Sequence, residues 1–483
     1  MSVKQKAIHG ILWTGLAKAC MQGMLFLIML VLARLLSPQD FGIVGMAAII
    51  TVAISLVNDR GLGTAIIQKA DINDEHLTSV FWGGILFAIL LFALSLALAA
   101  PMALFFKNPA VQPVVSVLAF GFIIGSLGIV HKSVLNKELE FKKLAIAEVV
   151  ASLASGVVSI VLALMRFGVW SLVLGALMRD AVNVALVWIY CRWRPRWSFS
   201  WRKFQELFAF SAKVLGNDVA SYAVMNMDVL IIGRILGSEA LGYYSLALNL
   251  VKMPVTRLSA VVSKVAFPAF SAIQDDRKKL QKGFLKSSAL LSIIIFPLLL
   301  GLALYAREFV TLFMGAKWSP MVMPLILLVP LGLAKSVSVI RWPALMALGR
   351  PDIELKWNLA YILPLAASLY FGARISLEGA AAGISLLLVL TFPLVQSISD
   401  RIIRLGDREF YVSIAPAAFA GSVMVLVSLL LKAFVLPMIP LGVLARFGVG
   451  VALSSAVYLL ALALVARPLL QELRGLVRRP RTA

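Results

Sequence analysis

The sequence predicts an all-α integral membrane protein of about fourteen transmembrane helices, built as two six-helix lobes related by an internal repeat plus two C-terminal helices. Three observations predict it. Of 483 residues, 61% are hydrophobic and 14% charged, and the mean hydropathy is +0.96, too apolar for one soluble core. Apolar runs of about 20 residues, the length that crosses about 30 Å of hydrocarbon, recur along the whole chain. A turn sequence between the first two runs returns 200 residues later, between the seventh and eighth.

The runs fall at about 8–33, 41–58, 77–105, 112–131, 144–165 and 168–190, then stop at a basic segment. A second set lies at about 210–233, 241–263, 287–313, 320–340, 356–373 and 377–399, followed by 411–435 and 439–466. The expected domains are an N-terminal lobe 1–190, a basic aromatic linker 191–209, a second lobe 210–400, two additional helices 401–466 and a basic tail 467–483. The first run, Ile8 to Leu36, exceeds a signal-peptide core and lacks a small-residue cleavage site before a soluble region, so it is expected to be retained as a span.

Lysine and arginine number 45 against 23 acidic residues. Their distribution decides what the excess means. The basic stretches His131 to Lys143, Cys191 to Lys213, Lys264 to Lys286 and the tail from Arg467 alternate with short, weakly charged turns, which by the positive-inside rule places both termini in the cytoplasm. The charge therefore reads as topology and contact with anionic membrane lipids, and nucleic acid is not an expected partner. Arg192-Trp193-Arg194-Pro195-Arg196-Trp197 interleaves cations with aromatics as RNA-binding surfaces do, but at the end of a span it reads as an interfacial belt and inter-lobe linker. Cys20 and Cys191 make no disulfide framework, and His9, His76 and His131 fall at span ends without ligand-spaced partners, where a surface position is expected; no metal or cofactor is expected.

The repeat lays Leu32-Ala33-Arg34-Leu35-Leu36-Ser37-Pro38-Gln39-Asp40-Phe41-Gly42 without gaps on Ile232-Gly233-Arg234-Ile235-Leu236-Gly237-Ser238-Glu239-Ala240-Leu241-Gly242. Parallel repeats of this kind build transporters whose substrate site lies between halves that rock against each other.

The run Lys4-Gln5-Lys6-Ala7-Ile8-His9-Gly10-Ile11-Leu12-Trp13, the Ala33 to Gly42 turn, Asp59-Arg60-Gly61-Leu62-Gly63, Gly168 to Val173, and Asp228 to Tyr244 resemble the polysaccharide transporters of the multidrug/oligosaccharidyl-lipid/polysaccharide flippase superfamily. The resemblance covers nearly the whole chain and implies an O-antigen or exopolysaccharide repeat-unit flippase. Such a protein moves undecaprenyl-diphosphate-linked oligosaccharide from the cytoplasmic to the periplasmic face of the bacterial inner membrane. It also implies polysaccharide polymerase and chain-length machinery as partners. No nucleotide-binding G-x-x-x-x-G-K-[ST] loop occurs, so energy must come from an ion or potential gradient or from downstream consumption of substrate.

Such a substrate needs cations for its diphosphate, hydrogen-bonding groups for its sugars and an opening to lipid for its tail. Ionisable groups inside spans are costly and by default line such a path. Lys18 and Gln22 share one face of span 1, and the offset of 200 sets Lys18 opposite Asp218 of span 7, where Asn217, Ser221 and Asp228 suggest a lumen-lining stripe. Span 8 carries Asn249, Lys252, Thr256, Ser259 and Ser263 at helical spacing, with Arg257 one position aside. Arg34 and Arg234 end spans 1 and 7 at the turns. Asp59-Arg60, near the inner end of span 2, and Arg179-Asp180, inside span 6, read as local gating or self-neutralising pairs, and Pro254, Pro297, Pro324 and Pro330 as bends. An ion-coupled multidrug exporter of similar architecture would want a more carboxylate-rich cavity, a membrane glycan polymerase or ligase would want a large outer loop, and a scaffold would have no use for charge inside its spans. An enzyme is not expected, since no nucleophile-base constellation or paired-carboxylate site stands out.

Overall fold

The computed structural model describes residues 21–68, 72–201, 226–350, 352–435 and 442–465, with Tyr222, Met438 and Pro440. Every regular element among the described residues is helical, and ten helices are long and apolar enough to cross a membrane, beside the shorter apolar helix α1 (Met21–Leu35). The ends called inner and outer below follow the charge pattern of the sequence. The chain divides into two compact units, Met1–Ser245 and Leu246–Ala483.

In the first unit, α1 is followed by α2 (Pro38–Gln68), α3 (Asp74–Phe106), α4 (Val111–Leu118), α5 (Phe120–Lys137), α6 (Phe141–Leu164) and α7 (Val169–Tyr190). Local signals set the ends. Asn73 caps α3 by accepting the His76 N–H at 3.1 Å, with Asp74 and Glu75 in the positive first turn, and the helix stops where Lys107 turns left-handed. Two spans of the second unit start likewise, with Asp276 accepting the Lys279 N–H and Ser376 that of Gly379.

Helices in lipid gain little from burying apolar surface, so close packing holds them together and small residues admit it. The seam between α6 and α7 shows this. Gly175 leaves room for Ser159, and Gly156 for Ile28 of α1, whose Cγ1 would lie 2.9 Å from an added Cβ. α5 packs on α3 and α7, and α2 on α4 and α5.

The next helix, α8 (Met227–Ala272), joins the end of the predicted seventh run to the eighth across a non-helical break at Gly237 (φ 85°, ψ −177°), and the unit boundary falls within it. The rest of the seventh run lies mostly outside the described residues. The second unit continues with α9 (Arg277–Leu304), a stretch of short turns over 306–321, α10 (Val322–Ser338), α11 (Arg341–Ala347), α12 (Asp352–Ile375), α13 (Leu377–Ile403), α14 (Asp407–Leu430) and α15 (Val443–Val465). Pro254, Pro297 and Pro330 lie inside α8, α9 and α10, whereas Pro324 sits in the first turn of α10, where its missing N–H costs nothing.

The two C-terminal helices are tied to α9 and to each other by polar groups. Tyr458 donates to the Ile293 carbonyl at 2.9 Å, Ser428 to Ser454 Oγ at 2.7 Å, and Tyr305 Oη lies 2.8 Å from Ser454 Oγ. Beside them Lys432 pairs with Glu308 at 2.7 Å and donates to the Leu304 carbonyl at 2.8 Å.

Two further turns share one helix ending. Glu140 N–H donates to the Leu135 carbonyl and Leu139 N–H to that of Asn136; Arg350 and Gly349 make the matching bonds to Leu345 and Met346. Leu139 (φ 60°) and Gly349 (φ 69°) are both left-handed. The same helix ending also occurs at Lys107, Arg166 and Arg404, so it is a common cap; the Leu139 and Gly349 turns lie 210 residues apart.

The predicted linker is a strap over 191–201, beyond which its remainder lies outside the described residues. Trp197 stacks on Trp82 (centroids 4.5 Å), whose Nε1–H donates to the Arg196 carbonyl at 2.8 Å. Ser200 N–H donates to Ser79 Oγ at 3.0 Å, and Arg196 lies 3.7 Å from Asp74. Arg194 caps α7, donating to the carbonyls of Cys191, Trp193 and Trp188. Two histidines correct a sequence expectation, His9 lying outside the described residues: His131 is fully buried, stacked on Trp188 at 4.3 Å and edged by Phe81 and Trp193, and His76 is buried at the α3 cap. Their place at run ends suggested exposure, but the strap covers that end of the unit.

Candidate functional site

The repeated turn is where the two copies meet. After α1, Ser37 and Asp40 cap each other: Ser37 N–H and Oγ–H donate to Asp40 Oδ2 at 2.9 and 2.6 Å. A Cβ on Gly42 would run into the carbonyl of Ser238, and one on Gly242 into the carbonyl of Pro38. Pro38 and Ser238 are themselves repeat partners, so the contact is reciprocal about a local two-fold axis, and only glycine permits it from either side. Asn108 Nδ2 donates to Ser238 Oγ at 3.2 Å. Beside this turn Arg34 is exposed, while the Arg234 guanidinium lies 5.7 Å from the centre of the Phe105 ring, a cation-π placement at a helix end.

Asp228, expected on a lumen-lining stripe, is buried. It is 4% exposed and accepts from the Val229 N–H at 2.9 Å and the Tyr244 hydroxyl at 3.2 Å; among the described residues no cation pairs with it. Lys18, Asn217, Asp218 and Ser221 lie outside the described residues. Gln22 is half-buried on α1. Asp59 and Arg60 belong to α2 well before its end at Gln68, not near its terminus as the hydropathy run suggested.

The polar face of α8 divides. Asn249, Thr256 and Arg257 are exposed and Lys252 half-buried, whereas Ser259 is buried. Neither Lys252 nor Arg257 has an acidic partner among the described residues. Pro254 removes a backbone donor between them, and the Thr256 hydroxyl donates back to the Lys252 carbonyl at 3.0 Å, a combination that bends helices. The result is a stretch of membrane-spanning helix presenting two cations and two hydrogen-bonding side chains.

Arg179 and Asp180 are not a self-neutralising pair. Arg179 Nη2 pairs instead with Glu148 Oε1 on α6, and Asn183 Nδ2 donates to Glu148 Oε2 at 3.2 Å. Asp180 turns the other way, its Oδ2 3.3 Å from where a Cβ on Gly121 would stand. Neighbours in a helix point about 100° apart, so adjacent charges seldom meet. Glu148, Asn183 and Tyr244 were missed in sequence reasoning; Glu148 was the readable one, a lone carboxylate inside an apolar run.

These features define a polytopic helical membrane protein with an internally duplicated turn and ionic groups inside its spans, the class that includes the secondary transporters. The fold matches the structure of the lipid II flippase MurJ in an inward closed conformation, with a TM-score of 0.77 at 15% identity over 95% of this chain and 100% of that one. The chain belongs to the polysaccharide biosynthesis protein family, whose model matches residues 31–323. It is 31% identical to the lipopolysaccharide biosynthesis protein WzxC of Escherichia coli (strain K12) over 83% of this chain and 80% of WzxC. It is 26% identical to the succinoglycan biosynthesis transport protein ExoT of Rhizobium meliloti (strain 1021) over 98% of this chain and 96% of ExoT.

Proposed function

We propose that this protein is a flippase that carries lipid-linked oligosaccharide repeat units, with undecaprenyl diphosphate as the lipid carrier, from the cytoplasmic to the periplasmic face of the bacterial inner membrane for polysaccharide biosynthesis. The observation that carries the reading is the cationic stretch of α8, where half-buried Lys252 and exposed Arg257 have no acidic partner among the described residues, in a chain of the polysaccharide biosynthesis family. Unpaired cations within a span are costly unless a mobile anion compensates them, and a diphosphate supplies that charge. The relatives named as a transport protein and a lipopolysaccharide biosynthesis protein support the same reading.

In this reading two lobes, 1–190 and 210–400, rock about the repeated turns, both termini are cytoplasmic, and the chain moves its cargo without altering its covalent bonds. Lys18, Gln22, Asn217, Asp218 and Ser221 contribute to the path, polysaccharide polymerase and chain-length machinery receive the product, and anionic lipids contact the basic inner segments. An ion-coupled multidrug exporter is disfavoured by the cationic character of α8.

The test is flipping of a fluorescent undecaprenyl-diphosphate oligosaccharide in proteoliposomes. The intact protein should move it and Lys252→Ala should slow it about tenfold, the loss of one charge-assisted contact. No flux by the intact protein would refute the proposal.

A further inference from the structure

We propose that Glu148, Arg179 and Asn183 form a saccharide-binding site inside the first unit, one that reads the hydroxyl groups of the cargo and not its phosphates. The inference rests on the flippase reading and names which part of the substrate these residues touch.

Position comes first. α6 and α7 are both apolar enough to span a membrane, and Glu148 lies about 10 Å from the inner end of α6 at 1.5 Å per residue. At that depth a charged pair turned to lipid would be costly, yet the side chains of Arg179 and Glu148 are 45% and 38% exposed. An ionic group that is both deep and half-exposed belongs to a water-filled path.

Helix packing does not require the pair. Gly156, Ser159 and Gly175 already bring α6, α7 and α1 together, and the half-exposed ion pair adds to that contact from its open side. Ile28 of α1 packs on Gly156; Gln22 lies about 9 Å inward of Ile28 and Glu148 about 12 Å inward of Gly156, so the half-buried Gln22 amide shares the layer.

Charge then selects the ligand. Glu148 cancels Arg179, so a diphosphate would find no net attraction and a carboxylate to repel it. Sugar hydroxyls both donate and accept. Glu148 accepts from Asn183 and Arg179, and the other guanidinium N–H groups of Arg179, with no acceptor among the described residues, point to a ligand that supplies oxygens. Asn183, 6% exposed, anchors the carboxylate.

The experiment compares binding of two lipids by the purified protein in nanodiscs: undecaprenyl diphosphate bearing an oligosaccharide, and the same lipid diphosphate without sugar. The intact protein is expected to prefer the glycosylated lipid. Arg179→Gln and Glu148→Gln should erase that preference while leaving affinity for the bare lipid within about twofold, whereas Lys252→Ala should weaken both lipids alike. Arg179→Lys keeps the ion pair but loses the planar fork, so a structural role would survive it and a hydroxyl-reading role would fall about tenfold. Variants that weaken both lipids equally, or neither, overturn the site while the flippase reading stands. An intact protein that binds and moves neither lipid overturns both.

Discussion

Replacing Gly42 or Gly242 by alanine tests the reciprocal contact between the repeated turns. An added methyl at either position meets a backbone carbonyl, which cannot rotate away as a side chain can, so the turns must separate. Overpacking of this kind costs about 1–3 kcal/mol, and a backbone obstacle argues for the upper half, about 2–3 kcal/mol for each single change. Both clashes lie across the same pair of turns. One separation therefore relieves both, and Gly42→Ala with Gly242→Ala together should cost at least about 1 kcal/mol less than the singles added, where independent sites agree within about 0.5 kcal/mol. The assay is a double-mutant cycle on unfolding in mixed detergent micelles with increasing dodecyl sulfate, followed by tryptophan fluorescence. Singles that cost less than about 0.5 kcal/mol, or a double that is additive within that margin, would refute the reasoning.

Leu139 holds a left-handed backbone at an exposed turn, so Leu139→Gly should stabilise the protein by about 1 kcal/mol in the same unfolding assay, and Gly349→Leu should destabilise it comparably. Burial pushes the Cys191 thiol up, so in a Cys20→Ser background it should alkylate much more slowly than a free cysteine and faster as pH rises; Trp82→Ala, which unseats the strap, should raise the rate at fixed pH. Unchanged labelling would mean that the strap does not shield it. Lys432→Met leaves Glu308 with a charge and no partner in a position under a third exposed, and should cost about 2 kcal/mol; the Glu308→Gln second change should recover part of that loss in the same cycle.

Much of the fold was legible because the bilayer imposes one length on every span, and the hydropathy runs fall on the helices to within a turn or two at most ends. Chemistry at the Arg34 to Gly42 turn was legible because the same glycine constraint left the same letters at Gly242. At the turn around Leu139 the copies share backbone geometry but, of their residues, only Leu135 and Leu345 match. A left-handed residue leaves no signature unless it is glycine. Arg179 and Asp228 were recognised as costly groups, yet their partners lie on other elements. Glu148 is 31 residues from Arg179 and Tyr244 is 16 from Asp228, across the break at Gly237, so pairing depended on packing that spacing cannot express.

The outer turns lie 200 residues apart and the Leu139 and Gly349 turns 210, so the stretch between them is ten residues longer in the second half of the chain. Along that interval the first copy passes from α3 to α4 through Lys107 to Ala110, whereas the second takes the longer route over 305–321. Tyr305 and Glu308, which hold Ser454 and Lys432, both stand on that longer route. The longer connection thus gives the C-terminal pair of helices two polar footholds, Tyr305 and Glu308, beyond the grip that Ile293 of α9 already has on Tyr458.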